Sequence, residues 1–172
     1  MLAVALVLLT PALAAPLCAQ QTQFGAEESI QQPVPLPSGA LAVLRSAAYR
    51  EILQYCADEA DMKVNEIPAD WFTASELELK PGVTGLIVRG EGQCLRGAHI
   101  TQFWVLVPSA SLWRLVFSGR GDSLNVLKTR TNHVRDLHLV LMMGAGRTVE
   151  YVKFRYSRGK YRKMGTRVVE HE

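Results

Sequence analysis

The sequence predicts an α+β fold: one N-terminal helix followed by an antiparallel β-meander sheet, fastened by one disulfide. Three observations predict it. Leu41, Leu44, Ala48, Ile52 and Tyr55 recur at helical spacing. After them, short runs of strand-favouring residues are separated by turn residues at close intervals. Once a leader is set aside, two cysteines remain, Cys56 and Cys94, and an even number in an exported chain reads as a bridge. A helix ahead of a series of strands is the α+β pattern.

The leader is Met1 to Ala19, MLAVALVLLTPALAAPLCA, with no charged side chain. Its apolar run, Leu2 to Leu9, is too short to cross a hydrocarbon core of about 30 Å, and small residues follow Pro11. That is the pattern of a signal peptide, with cleavage expected after Ala14 or Ala19. The segment departs from the pattern in having no Lys or Arg before the apolar run. Acylation of Cys18 is the weaker alternative, because Leu17 stands where a lipoprotein wants a small residue. A secreted or periplasmic location is expected, with no transmembrane segment after the leader. Residues 20–39, polar and then Pro-rich (QQPVPLPSG), read as an extended linker. Residues 40–172 read as a single domain of ordinary size.

At the end of the linker Ser38 is placed to cap the helix that follows, and Cys56 lies near the helix end, before Asp58, Glu59 and Asp61. A bridge to Cys94 would close a loop of roughly 38 residues and contribute about 3–4 kcal/mol in the loop-entropy picture. Ile67 to Phe72 reads as a turn or short helix anchored by Trp71 and Phe72. Pro81-Gly82 marks a turn, and Leu86 to Val88 a strand. The meander continues through Thr101–Val107, Leu112–Ser118, Leu124–Leu127, Leu137–Met142, Thr148–Tyr156 and Tyr161–Val169. Turns are expected at Pro108–Ser111, Gly119–Asp122, Asn132, Gly144-Ala145-Gly146 and Ser157-Arg158-Gly159.

Two passages carry a family resemblance. Ser75 to Val88, SELELKPGVTGLIV, resembles a degenerate copy of the calcium-loop segment of FG-GAP repeats. Thr131-Asn132-His133-Val134-Arg135-Asp136-Leu137, with Phe154 to Tyr161 (FRYSRGKY), is similar to a "TNGxxDL…FxxGxY" pattern of secreted bacterial domains of no established activity. Cys94 to Ala98 and Phe103-Trp104 belong to the same resemblance, which spans Ala69 to Tyr161. It implies an envelope or secreted location. Calcium binding does not carry over: a hard cation needs several oxygen ligands, and Lys80 and Pro81 follow Glu76 and Glu78 where more are wanted.

The residues argue against most chemistries. There is no Gly-x-Ser-x-Gly elbow, no His-Glu-x-x-His or Cys-x-x-Cys, and no phosphate-cradling Gly-x-x-x-x-Gly-Lys loop. No cofactor or metal is expected. Of the four histidines, His138 is expected to alternate within a strand, and His99 and His133 to lie near turns. His133 and His138 are five apart, hence on opposite strand faces. Asn132, Arg135 and Asp136 form a polar cluster best read as structural, Asn132 making the turn and Asp136 accepting backbone hydrogen bonds at a strand start. Arg120-Gly121-Asp122 is the tripeptide that integrins read, but five residues of this kind also make an ordinary hairpin tip.

Charge supplies the remaining candidate. From Glu27 to Arg96 there are eleven acidic and six basic side chains; from Arg114 to Arg167 there are thirteen basic and three acidic. Lys153, Arg155, Arg158, Lys160, Arg162 and Lys163 surround the last hairpin, interleaved with Tyr151, Phe154, Tyr156 and Tyr161. Lys153 and Arg155 share one strand face by alternation. The competing reading is an edge hairpin whose cations deter sheet-to-sheet aggregation. In an exported chain the expected partners are an acidic protein or an anionic envelope polymer, and not nucleic acid. The leading expectation is therefore a non-catalytic binding or accessory domain, inhibitor-like in action. The alternatives are an envelope hydrolase using His138 or His99 with Asp136, and an inert structural surface protein.

Overall fold

The computed structural model describes residues 20–46, 50–92, 94–110 and 112–171. The expected signal segment and Cys18 lie outside the described residues. The helical face is carried by two helices, α1 (Ser38–Leu44) and α2 (Arg50–Glu59), where the periodicity predicted one. Ser38 is the first residue of α1; the cap position is Pro37, with no side-chain hydrogen bond. After α1, Ser46 Oγ donates to Val43 O at 2.7 Å, a hydroxyl competing for a helix carbonyl. Arg45 Nη2 donates to Ile67 O, which ties this exit to the two 3-10 turns Val64–Glu66 and Ala69–Trp71.

Nine strands are described: β1 (Gln23–Gly25), β2 (Phe72–Lys80), β3 (Val83–Gly90), β4 (Thr101–Ser109), β5 (Leu112–Gly121), β6 (Ser123–Thr131), β7 (Val134–Met143), β8 (Thr148–Ser157) and β9 (Lys160–Glu170). All pairings are antiparallel. They form two meanders, a four-stranded sheet β2-β3-β4-β5 and a five-stranded sheet β1-β6-β7-β8-β9. β2 is a strand where the sequence reading placed a loop-like segment. Its Leu77 and Leu79 are buried while Glu76, Glu78 and Lys80 are exposed. Glu78 Oε1 accepts the Gly82 N–H at 3.1 Å, so the acid that resembled a calcium ligand closes the Pro81-Gly82 turn.

The elements stack in three layers. Alternation along β4 sends Phe103, Val105 and Val107 toward the five-stranded sheet, where they meet Phe24, Leu137 and Val152. It sends Trp104 and Leu106 the other way, against Leu44 and Leu53 of the helices. Trp104 is fully buried and meets Phe72 edge-on, ring centroids 5.5 Å apart. Cys56 of α2 and Cys94 of the β3–β4 connection form the expected disulfide, Cα–Cα 5.4 Å. It fixes the helical layer to the four-stranded sheet.

The chain changes sheet at one residue. β5 ends at Gly121 and β6 begins at Ser123, so the Arg-Gly-Asp stretch is a crossover rather than the hairpin tip expected. Asp122 is held by its N–H to Val140 O (2.8 Å) and its O to Ala26 N–H (2.7 Å). Its Oδ2 accepts the Met142 N–H at 2.8 Å. Gly121 is needed for clearance: a Cβ there would lie 2.7 Å from Val140 O and 2.9 Å from Leu139 Cδ1.

Residues 20–39, expected as a tether, run along the body. β1 pairs with β6, Phe24 is fully buried, and Val34 bridges Ala74. Arg89, itself buried, donates from Nη1 to Gly25 O at 2.6 Å and to Glu28 O. It is neutralised by Glu91 at 2.5 Å. A buried cation of this kind persists only when paired and hydrogen-bonded.

Candidate functional site

Among the described residues no helix lies over the outer side of the five-stranded sheet. The side chains on it follow from register. His138 of β7 pairs with Asn125 of β6 and Lys153 of β8, and Lys153 pairs with Gly165 of β9. The next outward row is Ser123, Val140, Tyr151 and Arg167. Leu137, Leu139, Val152 and Phe154 alternate with these and point into the inter-sheet core. The β8 and β9 ends of these rows, with His138, line an open depression of about 770 Å³, with Lys153, Arg155, Arg167 and His171 as its basic groups and Tyr151, Met164 and Val169 as its apolar ones.

Among the described residues four ion pairs form: Arg89–Glu91, Arg96–Glu91, His99–Glu27 and Lys153–Asp136. Arg155 and Arg167 are in none of them. Lys153 Nζ is 3.9 Å from Asp136 Oδ2, and the same oxygen accepts from Thr129 Oγ1 at 2.9 Å. Asp136 is 2 % exposed, and its Oδ1 has no partner; neither has Asn125 Oδ1. The ring of His138 lies 6.1 Å from that of Tyr151. Burial, then the Lys153 ammonium and the Arg167 guanidinium, lower the His138 pKa against the opposing pull of Asp136. The imidazole is thus held toward its neutral form within a cationic face.

The six basic residues singled out in the sequence do not form one patch. Lys153 and Arg155 line the depression. Arg158 is in the β8–β9 turn at φ 49°, followed by Gly159 at 84°, the left-handed pair that a tight hairpin requires. Lys160, Arg162 and Lys163 border a second hollow of about 490 Å³ beside Val116 and Phe117 of β5. The interleaved aromatics also divide: Phe154, Tyr156 and Tyr161 pack into the inter-sheet core, and Tyr151 alone of the four is on the depression. Tyr161 donates to Arg135 O at 2.8 Å, and burial pushes its phenol pKa well up.

The polar cluster around Asn132 is structural, with one correction. Asn132 and His133 have φ of 52° and 64° and make the β6–β7 turn, and Asn132 Nδ2 donates to Tyr156 O at 2.9 Å. Arg135 donates to Leu127 O and Val126 O, at 2.9 and 3.2 Å, where β6 bulges between Val126 and Arg130. Asp136 accepts from a side chain, not the backbone hydrogen bonds expected, because it sits opposite that bulge. His99 Nδ1 lies 2.6 Å from Glu27 Oε1 in an exposed pair, so its carboxylate partner is Glu27 and not Asp136.

Arg167, Tyr151 and His138 are the depression residues that the basic-hairpin reading missed as a group. Parity along β9 would have joined Arg167 to Lys153, but a register shift between Lys153 and Phe154 hides it. Among the described residues no group of three or more His, Cys, Asp or Glu is placed to hold a metal ion, and no helix is long and apolar enough to cross a membrane. No family model, curated protein or solved structure matches the chain.

Proposed function

We propose that this is an exported, non-catalytic binding or accessory domain that engages an anionic partner through the open face of its five-stranded sheet. One observation carries the reading: Arg155 and Arg167 stand on a concave, uncovered face, and no acid among the described residues pairs with either. Cations left unneutralised around a concavity focus a positive potential and speed capture of an anion. Export is supported by the leader pattern of residues 1–19, by the disulfide and by the resemblance to secreted bacterial domains. The partner is an acidic protein or an anionic envelope polymer, and an inhibitor would act by occupying it.

The test is a pull-down from envelope extract at low and high salt with the disulfide-intact protein. The comparison is with Arg155→Glu/Arg167→Glu, and with Lys160→Glu/Lys163→Glu as a control on the second hollow. The expected result is a partner retained by the wild type and by the control, lost by the first variant and weakened by salt. Equal retention by all three would overturn the assignment of the face.

The hydrolase alternative has one observation in its favour. His138 and Asp136 stand two residues apart on β7, and the imidazole is held toward neutrality. An activity found in the wild type and unchanged in His138→Ala would dispose of it.

A further inference from the structure

We infer that the depression recognises a hydroxyl-bearing acidic ring, an acidic sugar unit, rather than an acidic polypeptide. The inference rests on the anion-binding reading above and gives it a ligand class.

Size is the first argument. A concavity of about 770 Å³ lies in the range of small-ligand sites, about 300–1,000 Å³. It suits one or two compact rings.

The lining is the second. Tyr151 stands mid-sheet, between Val140 on one side and Arg167 on the other, with Met164 and Val169 nearby. An aromatic face flanked by cations takes the apolar face of a ring and its acid group together.

The third is a neutral hydrogen-bonding group beside the cations. His138 lines the depression with Lys153 and Arg155, its ring 6.1 Å from that of Tyr151, and it is held toward neutrality. It can accept from or donate to a ring hydroxyl. A sugar acid offers the acid and the hydroxyls on one ring, whereas a run of glutamates offers acid groups alone.

Titration calorimetry on the purified, disulfide-intact protein separates the cases with four probes: a short oligomer of a 1,4-linked uronic acid, the free uronic acid, the same oligomer with its carboxyls reduced to alcohols, and polyglutamate of matched charge. The oligouronate is expected to bind at least about tenfold more tightly than the reduced oligomer and polyglutamate. Tyr151→Ala should weaken the oligouronate about tenfold and leave polyglutamate unchanged, while Tyr151→Phe retains binding. If Tyr151→Ala loses its cooperative melt, Tyr151→Leu keeps apolar bulk without a ring and is read the same way. Polyglutamate binding as tightly as oligouronate would overturn the sugar assignment and leave the anion-binding reading standing. No binding by any probe would remove both. Free uronic acid binding as well as its oligomer would assign a soluble sugar acid, and preference for the oligomer a polymer.

Discussion

The two sheets are built from similar residues and differ in what covers them. The four-stranded sheet lies between the helices and the second sheet, and β4 is buried without interruption from Thr101 to Val107. Among the described residues the five-stranded sheet is covered on one side only, and β8 keeps Val152 buried between the partly exposed Tyr151 and Lys153. The sequences already differ in this way: FWVLV (Phe103–Val107) is a continuous apolar run, whereas TVEYVKFRY alternates. Two-sided burial removes the need for polar residues, and one-sided burial imposes period two. Pattern therefore separates the sheet that holds the molecule together from the sheet with a face to spare.

The comparison can be broken most directly at Trp104. Trp104→Ala should cost about 3–5 kcal/mol in a denaturant titration. Met164→Ala on the open face, where the side chain is 56 % exposed, should stay within about 0.5 kcal/mol. Similar costs would mean that the open face is covered in solution. Next comes the staple of the covered sheet: Cys56→Ala/Cys94→Ala should lower stability by about 3–4 kcal/mol, with little change in anion binding at temperatures where the variant stays folded. A loss of binding in parallel would show that the open face depends on the helical layer.

The crossover sharpens the comparison at smaller scale. Gly121→Ala should cost about 1–3 kcal/mol by overpacking, because its Cβ would press on Val140 O and Leu139. A neutral result would mean that the two sheets slide relative to each other. The smallest effect is a pH dependence. A base whose pKa is lower folded than unfolded binds fewer protons when folded. Stability should therefore rise with pH toward about 6.5, the ordinary histidine value, and fall as pH drops below it. Melting temperatures of wild type and His138→Gln between pH 5 and pH 8 (roughly the histidine range) check this, and a variant curve as steep as the wild type's would assign the slope to other groups.

Most of the strands were legible because their runs are apolar or alternating and their breaks carry Gly, Asn or Pro. β2 was less legible: SELELK alternates, but its acids followed by Pro81-Gly82 also resemble a degenerate calcium loop. The break between α1 and α2 was not legible, since Leu44, Ala48 and Ile52 keep helical spacing through it. The division into two sheets could not be read at all: Gly119 to Asp122 has the composition of a hairpin turn, and only contact with Val140 and Ala26 makes it a crossover. The same limit applied to the site. Lys153 and Arg155 follow from alternation within one strand, whereas Arg167 joins them only through register across β9. The orphaned oxygens of Asn125 and Asp136 depend on the bulge in β6 and on cross-strand neighbours, which no local pattern announces.

β1 has a consequence for the order of assembly. Every other strand finds a partner adjacent in sequence, but Phe24 is set against Leu124, one hundred positions later. The chain is synthesised from its N-terminus, and closing so long a loop is entropically slow. A strand that emerges before both sheets is thus among the last to settle. Until β6 exists, the inter-sheet core lacks Phe24, and Arg89 lacks the carbonyls of Gly25 and Glu28. The two-sheet body is completed by a strand that precedes it in the chain, which works as a latch drawn across after the sheets have met.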